Sequence, residues 1–207
     1  MLALMIDHLV FAAPELSQGV AATERRLGVR AAMGGKHPGG THNALLSLAN
    51  GAYLEIIAPD PEYGGPPAPH PWLDGLTKPR LVSWAAKAPE IECRVADAAA
   101  AGHPIGRVSA ASRQLPDGAV LHWTFTYPPP AAGHGIAPFL IRWEPGQHPS
   151  ETSPGGCELV ELRGEHPDPE RVGALLRAME IDLLVGEGPR PALIATIRCP
   201  KGVVELR

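Results

Sequence analysis

Among the first sixty residues, His8, His42 and Glu55 stand in strand or turn contexts where their side chains could hold an ion or move a proton. His8 alternates with Ile6 and Val10, so strand geometry turns its imidazole to the apolar side. A lone histidine there is ordinarily a hydrogen-bonded core residue, although a neutral imidazole is also a metal ligand. Glu55 lies between Leu54 and Ile56 and shares a face with Tyr53 and Ile57, which predicts a partly buried carboxylate. A buried carboxylate needs a partner or a metal. His42 stands in a glycine-rich turn before a strand, where it can act as an acid or base near neutral pH at the rim of a site. Further along, Glu161 alternates with Leu159 and Arg163, and Glu205 with Val203 and Arg207, a pattern that also suits a solvated sheet face. Trp84, Trp143 and Arg142 are candidates for a pocket wall and an anion clamp, with core packing or a surface ion pair as the plainer reading.

The elements that must position these groups recur three times. Ile6 to Phe11 reads as a strand. Glu15 to Leu27 reads as a helix with Leu16, Val20 and Leu27 on one face, stopped by Gly28. A turn-rich stretch from Gly34 to Gly40 leads to the runs Asn43 to Leu48 and Ala52 to Ile57, joined through Asn50-Gly51, a hairpin signal. In the second pass, Leu81 to Lys87 is a strand, and Ile91, Val95, Ala98 and Ala99 are spaced as a helix stripe before Gly102. Ile105 to Arg113, Ala119 to Tyr127 and Pro138 to Trp143 follow, the first two flanking Pro116-Asp117-Gly118. In the third, Cys157 to Arg163 precedes a helix capped by Asp168 with Pro169 in its first turn and a Val172, Leu175, Leu176, Met179 stripe. The strands Ile181 to Val185, Ala192 to Cys199 and Val203 to Arg207 complete it.

Aligning Pro14, Pro89 and Pro167 at the helix entries places His8, Ser83 and Glu161 in equivalent positions. The expectation is an α+β fold of repeated βαβββ modules forming a cupped antiparallel/mixed sheet with helices packed outside. The modules span residues 1–60, 80–145 and 157–207, with a Pro/Gly-rich linker at 61–79 that reads as a surface connection or, as long loops sometimes are, a lid.

Composition excludes several classes. With 18 Lys and Arg against 22 Asp and Glu, the net charge of −4 gives no broad basic surface for a phosphate backbone or an anionic membrane. The opening Met1 to His8 lacks the plan of a signal peptide, and no later run approaches a membrane span. Cys93, Cys157 and Cys199 are odd in number and contain no CxxC pair, which points to reduced cytoplasm. Neither nucleotide-loop glycine spacing nor Gly-x-Ser-x-Gly occurs.

Ile6-Asp-His-Leu-Val-Phe11, the helix ending Leu27-Gly28, the Gly39-Gly-Thr-His-Asn43 turn and Gly51-Ala-Tyr-Leu-Glu-Ile56 together resemble the first module of the vicinal-oxygen-chelate superfamily, and more narrowly its glyoxalase-like domain proteins. The resemblance implies a sheet cup that encloses a divalent metal (Fe, Mn, Co, Ni or Zn), with ligands from the first and last strands of each module. Carried over by position, His8 and Glu55 are the implied ligands and Glu205 the third, while Ser83 and the Leu140 to Arg142 run of the second unit offer none. A cup built from the first and third units would supply His8, Glu55, Glu161 and Glu205. The implied function is a metal-dependent lyase, isomerase or dioxygenase acting on a small oxygenated metabolite, with Glu55 or His42 moving the proton. The alternative is a binding protein that sequesters a small hydrophobic or aromatic compound without chemistry. A homodimer is compatible with either.

Overall fold

A computed structural model describes residues 6–68, 70–114, 118, 120–127, 133–146 and 148–207. The expected turn residues Pro116 and Asp117, the strand start Ala119 and most of the joint from Pro128 lie outside them. Twelve strands and four helices follow one another along the described chain. The first unit is β1 (Ile6–Ala12), α1 (Leu16–Leu27), β2 (Ala32–His37), β3 (Thr41–Ser47) and β4 (Tyr53–Pro59). The second is β5 (Arg80–Lys87), α2 (Ile91–Ala100), β6 (Arg107–Gln114), β7 (Val120–Tyr127) and β8 (Phe139–Trp143). After the single turn α3 (Pro149–Thr152) come β9 (Glu158–His166), α4 (Pro169–Ala178), β10 (Leu184–Glu187), β11 (Ala192–Cys199) and β12 (Gly202–Leu206).

The first two units share one eight-stranded sheet of order β2-β3-β4-β1-β5-β8-β7-β6. Each half repeats the other in reverse about the antiparallel β1/β5 junction, with β1 parallel to β4 and β5 parallel to β8. The third unit forms its own sheet, β10-β9-β11-β12, in which the first strand lies between the second and third. Its elements follow the same chain order as the other units, but its sheet order differs. The cup therefore comes from units one and two, which decides between that pairing and one of units one and three. Another difference concerns the Gly34 to Gly40 stretch, read as turn-rich: its first four residues belong to β2. Ala-Met-Gly-Gly-Lys-His has little strand propensity, but pairing with β3 from Ala32↔Leu45 to His37↔Thr41 makes it an edge strand.

Alternation along the central strands divides the large sheet into two faces. Leu9, Phe11, Leu54, Ile56, Trp84, Ala86 and Leu140 belong to the main core, which they share with Leu16, Val20 and Leu27 of α1, Leu175 of α4 and Ile194's neighbours Leu193 and Ala195 of β11. Val10, Ala12, Ile57, Ala85, Phe139 and Ile141 lie on the opposite, concave face, where Trp72, Trp123 and Trp143 pack against them. The second sheet is tied on through Leu81 N–H to Arg207 O (3.0 Å) and Leu159 N–H to Leu48 O (3.0 Å). The helix signals hold. Gly28 closes α1 at φ 79°, and Asp168 caps α4 by accepting from Arg171 N–H at 3.1 Å. Among the described residues no helix is long and apolar enough to cross a membrane.

Gly19 marks how closely α1 approaches the sheet, because a Cβ there would lie 2.6 Å from Ile56 Cγ2 and 2.9 Å from Ala13 Cβ. Helix propensity favours Ala over Gly by about 1 kcal/mol. Overpacking typically costs about 1–3 kcal/mol and here dominates. Gly19→Ala is expected to lower stability in urea unfolding, and a gain would show that the helix seat is slack.

Candidate active site

The concave face forms a half-open cavity of about 490 Å³ whose walls are mainly aromatic and aliphatic, with His8, His37, His70, Asn43, Glu55 and Arg113 as its titratable and amide groups. Its position follows from the strand pairings. Tyr53, His8, Ala85 and Phe139 form one row across β4, β1, β5 and β8, while Glu55 stands in the next row beside Val10.

The row is held by a bulge. Between Ile6 and His8 the β1/β5 register slips, so that Asp7 is the extra residue of β1 and its carboxylate turns beside the His8 ring. Asp7 is fully buried. It accepts from His8 Nδ1 at 2.7 Å, from His148 Nε2 at 3.1 Å and from Trp143 Nε1 at 3.1 and 3.2 Å. Burial alone would raise its pKa, but the hydrogen bonds from His148 and His8 and the charges of those rings prevail and hold it far below the usual carboxylate range. With Nδ1 donating to Asp7, His8 points Nε2 into the cavity, 3.7 Å from Glu55 Oε2. Its ring is stacked on Tyr53 at 4.6 Å and meets the edge of Phe139 at 5.5 Å.

Glu55 is oriented from its other oxygen. Asn43 Nδ2 donates to Glu55 Oε1 at 2.6 Å, and Arg113 Nη1 donates to Asn43 Oδ1 at 2.8 Å. The second contact fixes the amide orientation, since a flipped Asn43 would turn its N–H toward a guanidinium. His37 Nε2 lies 3.8 Å from Glu55 Oε1 and 3.3 Å from Asn43 Nδ2, and its Nδ1 is 2.8 Å from Thr41 Oγ1. Burial opposes ionisation of Glu55, yet the charges of His8 and His37, the Asn43 bond and the charge of Arg113 keep its pKa below the ordinary value. Burial also lowers the pKa of His37, more than the attraction of Glu55 raises it.

Of the residues singled out from sequence, His8 and Glu55 come together. His42 does not, because alternation along β3 sends Thr41 and Asn43 into the cavity and His42 to the other face. Glu205 is also elsewhere. It is exposed on β12 of the second sheet, ion-paired with Arg163 at 3.2 Å and Arg207 at 3.5 Å. Glu161 is exposed on the same sheet. Arg142, considered as an anion clamp, forms a two-pronged ion pair with Glu92 outside the cup, at 2.7 and 2.9 Å. Trp84 is core and donates to Ile136 O at 2.7 Å, whereas Trp143 does line the cavity. The linker contributes Ala68, His70 and Trp72 to the cavity wall. Asp7, His37, Asn43 and Arg113 carried no individual signal, apart from Asp7 standing in the Ile6 to Phe11 motif and Asn43 in the Gly39 to Asn43 motif.

The glyoxalase-like domain model matches residues 6–179. The chain belongs to the glyoxalase-like domain family. Its fold is of the vicinal-oxygen-chelate type that the sequence resembles. Among solved structures, a hypothetical protein from Staphylococcus aureus is 13% identical over 97% of this chain and 83% of that one, with a TM-score of 0.63. A methylmalonyl-CoA epimerase from Mycobacterium tuberculosis is 17% identical over 69% of this chain and 89% of its own, with a TM-score of 0.44. A Streptomyces coelicolor methylmalonyl-CoA epimerase variant in complex with 2-nitronate-propionyl-CoA is 22% identical over 66% and 95%, at 0.45. Likeness at these identities shows the fold alone. No curated protein matches the chain.

Glyoxalase-like folds imply a divalent metal, which needs at least three converging donors. His8 Nε2 and Glu55 Oε2 are two. His37 Nε2 and Glu55 Oε1, 3.8 Å apart, are both engaged by the Asn43 amide. Where the His8 row continues into the second module it meets Ala85 and Phe139, which are hydrocarbon. Among the described residues no group of three or more His, Cys, Asp or Glu side chains is placed to hold an ion. This donor set does not fit a resident divalent metal.

Removing the Asp7 carboxylate leaves the buried His8 donor and the part-buried Trp143 and His148 donors without this acceptor. Asp7→Ala is expected to cost about 3 kcal/mol in urea unfolding, and a cost below about 1 kcal/mol would show that the carboxylate is dispensable. Acid should also destabilise the site. Glu55 and His37 have folded pKa values below the ordinary 4.5 and 6.5, so the stability each contributes is present above those values. It is lost as pH falls through the lower folded ones. Thermal denaturation across this range should show a fall below pH 6.5 that is absent from His37→Gln, and a further fall below 4.5 that is absent from Glu55→Gln.

Proposed function

We propose that this chain is a glyoxalase-like enzyme that moves a proton to and from a carbon next to a carbonyl in a small oxygenated metabolite. The observation that carries the reading is the pair His8 Nε2 and Glu55 Oε2, 3.7 Å apart in one half-open aromatic cavity, each held from behind by its own partner. Two acceptors facing each other at that distance repel unless a proton lies between them. The pair is therefore suited to passing one.

Glu55 takes the proton from carbon, and the C–H electron pair becomes the enolate double bond while the carbonyl electrons move to oxygen. His8, protonated at Nε2 with Nδ1–H on Asp7, stabilises that oxygen by donating to it. Return of the proton to the same or a neighbouring carbon gives an epimer or an isomer, with no net change in protons. Glu55 is a weak base because its pKa is held down. The donors around the developing oxyanion must therefore supply most of the driving force, and exclusion of water strengthens them. A metal is not required by this chemistry.

A second reading, sequestration of a flat apolar compound without turnover, is favoured by the rings of Trp123, Trp143, Phe125 and Phe139 along the wall. Solvent exchange separates the two. The wild-type protein is expected to wash deuterium from D2O into the α-position of at least one 2-oxo acid, 2-hydroxy ketone or acyl thioester, read by NMR. Glu55→Gln should slow the exchange about 100-fold or more, and EDTA should leave it unchanged. Exchange that survives Glu55→Gln, or that is lost to EDTA and restored by a divalent ion, would sink the proposal; tight binding without exchange would favour sequestration.

A further inference from the structure

Arg113 is 4% exposed, and its only hydrogen-bond partner among the described residues is Asn43. The other arginines with ion pairs, such as Arg142, Arg163, Arg198 and Arg207, are more exposed and meet a carboxylate directly. Among the described residues Arg113 meets none within ion-pair distance. A guanidinium stays charged in any protein and carries five N–H donors in a planar fork. One of the five is used on Asn43 Oδ1. Burying such a group with its donors unspent costs free energy, and side chains in that state mark sites that meet a ligand.

The relation of Arg113 to Glu55 is also informative. If Arg113 served only to neutralise Glu55, direct contact would do so best. Instead the Asn43 amide stands between them, accepting from one and donating to the other. The bridge depends on bare backbone at Gly34, where a Cβ would lie 2.2 Å from Asn43 Oδ1 and 2.6 Å from Arg113 Nη1. The interposed amide keeps the guanidinium off the Glu55 carboxylate, and both side chains line the cavity. Trp72 Nε1, also on the cavity wall, is a buried donor with no partner among the described residues.

We infer that the ligand of this cavity is an amphipathic monocarboxylate, its carboxylate received by the fork of Arg113 and its flat apolar body laid against Trp123 and Trp143. The inference deepens the proposed function and rests on its reading of the cavity as the substrate site. A planar monoanion matches the single fork bidentately. With Arg113 the single Lys or Arg among the described lining residues and Glu55 ionised two hydrogen bonds away, a dianionic phosphate is disfavoured. A carboxylate on Arg113 leaves its neighbouring carbon on the side of Glu55, where the proposed proton transfer takes place. Trp72 Nε1 is the second donor for a ligand oxygen.

The probes are benzoate, phenylacetate and mandelate, each paired with its neutral amide, together with phenyl phosphate, tested by thermal shift and calorimetry on the full chain. At least one carboxylate is expected to bind about tenfold or more tightly than its amide, a difference near 1.4 kcal/mol. Arg113→Met should reduce carboxylate affinity to that of the amide while leaving the amide unchanged, and Arg113→Lys should keep part of the preference. Glu55→Gln should retain the preference even where it abolishes exchange, so the two proposals fail separately. Equal binding of acids and amides, no binding by any carboxylate, tighter binding of phenyl phosphate, or a preference that persists in both Arg113 variants would overturn the inference.

Discussion

The buried carboxylate of Asp7 is the constraint on which the rest of the cup depends. An ionised group removed from water is tolerated only when hydrogen-bond donors replace its hydration. Asp7 obtains three from separate places in the chain: His8 from its own strand, Trp143 from the last strand of the second module, and His148 from the entrance to α3. Satisfying one charge therefore fixes the relation between the two modules, seats α3 and turns the His8 ring. The bulge makes this possible, because in an unbroken β1 adjacent side chains would point to opposite faces.

The internal repeat of the large sheet is exact enough in strand order to produce a pseudo-twofold cup, yet its chemistry is one-sided. His8, Asn43 and Glu55 come from the first module. In the corresponding strands the second presents Ala85, Phe139 and Ile141, and its charged contribution is Arg113 from the outer strand β6, beside the hydroxyls of Ser109, Ser112 and Thr126. Such asymmetry suits a ligand with two dissimilar ends. An arrangement with two equivalent ligand pairs would surround an ion symmetrically, whereas this one sets a proton-handling pair against a hydrocarbon wall with a cation at the far side.

How much of this was legible follows from how local each signal is. The helix of Val172, Leu175, Leu176 and Met179, its Asp168 cap and the hairpin through Asn50-Gly51 depend on near neighbours, and all are present. His8 and Glu55 were legible through position in a family motif and through apolar flanks. β2 was not, since its Gly-Gly-Lys stretch becomes a strand only by pairing with β3. His42 was favoured over Asn43 because a titratable ring attracts attention, but a one-residue difference in register decides which of them faces the cavity. Asp7 was hidden by the assumption of strict alternation, and Arg113 by its distance in sequence from the groups that it serves.

Glu161 and Glu205 show why period-two patterning cannot by itself identify a ligand. A carboxylate between apolar neighbours in a strand reads alike whether that face lines a cavity or meets water. What distinguishes the cases is the charge available across the sheet. On the second sheet Arg163 and Arg207 stand beside Glu165 and Glu205 in an exposed ladder, so these carboxylates are matched within their own face and have no need of an ion. The third unit serves the site differently. The face of the large sheet opposite the cup is apolar and needs cover, which α1 and α2 share with the third unit. Leu159, Leu162, Leu193, Ala195 and Ile197 of the second sheet supply its share of that cover, joining the core that lies behind β1 and β5. The unit that resembled a ligand donor in pattern thus supports the site by packing, and keeps rigid the two strands whose junction carries Asp7.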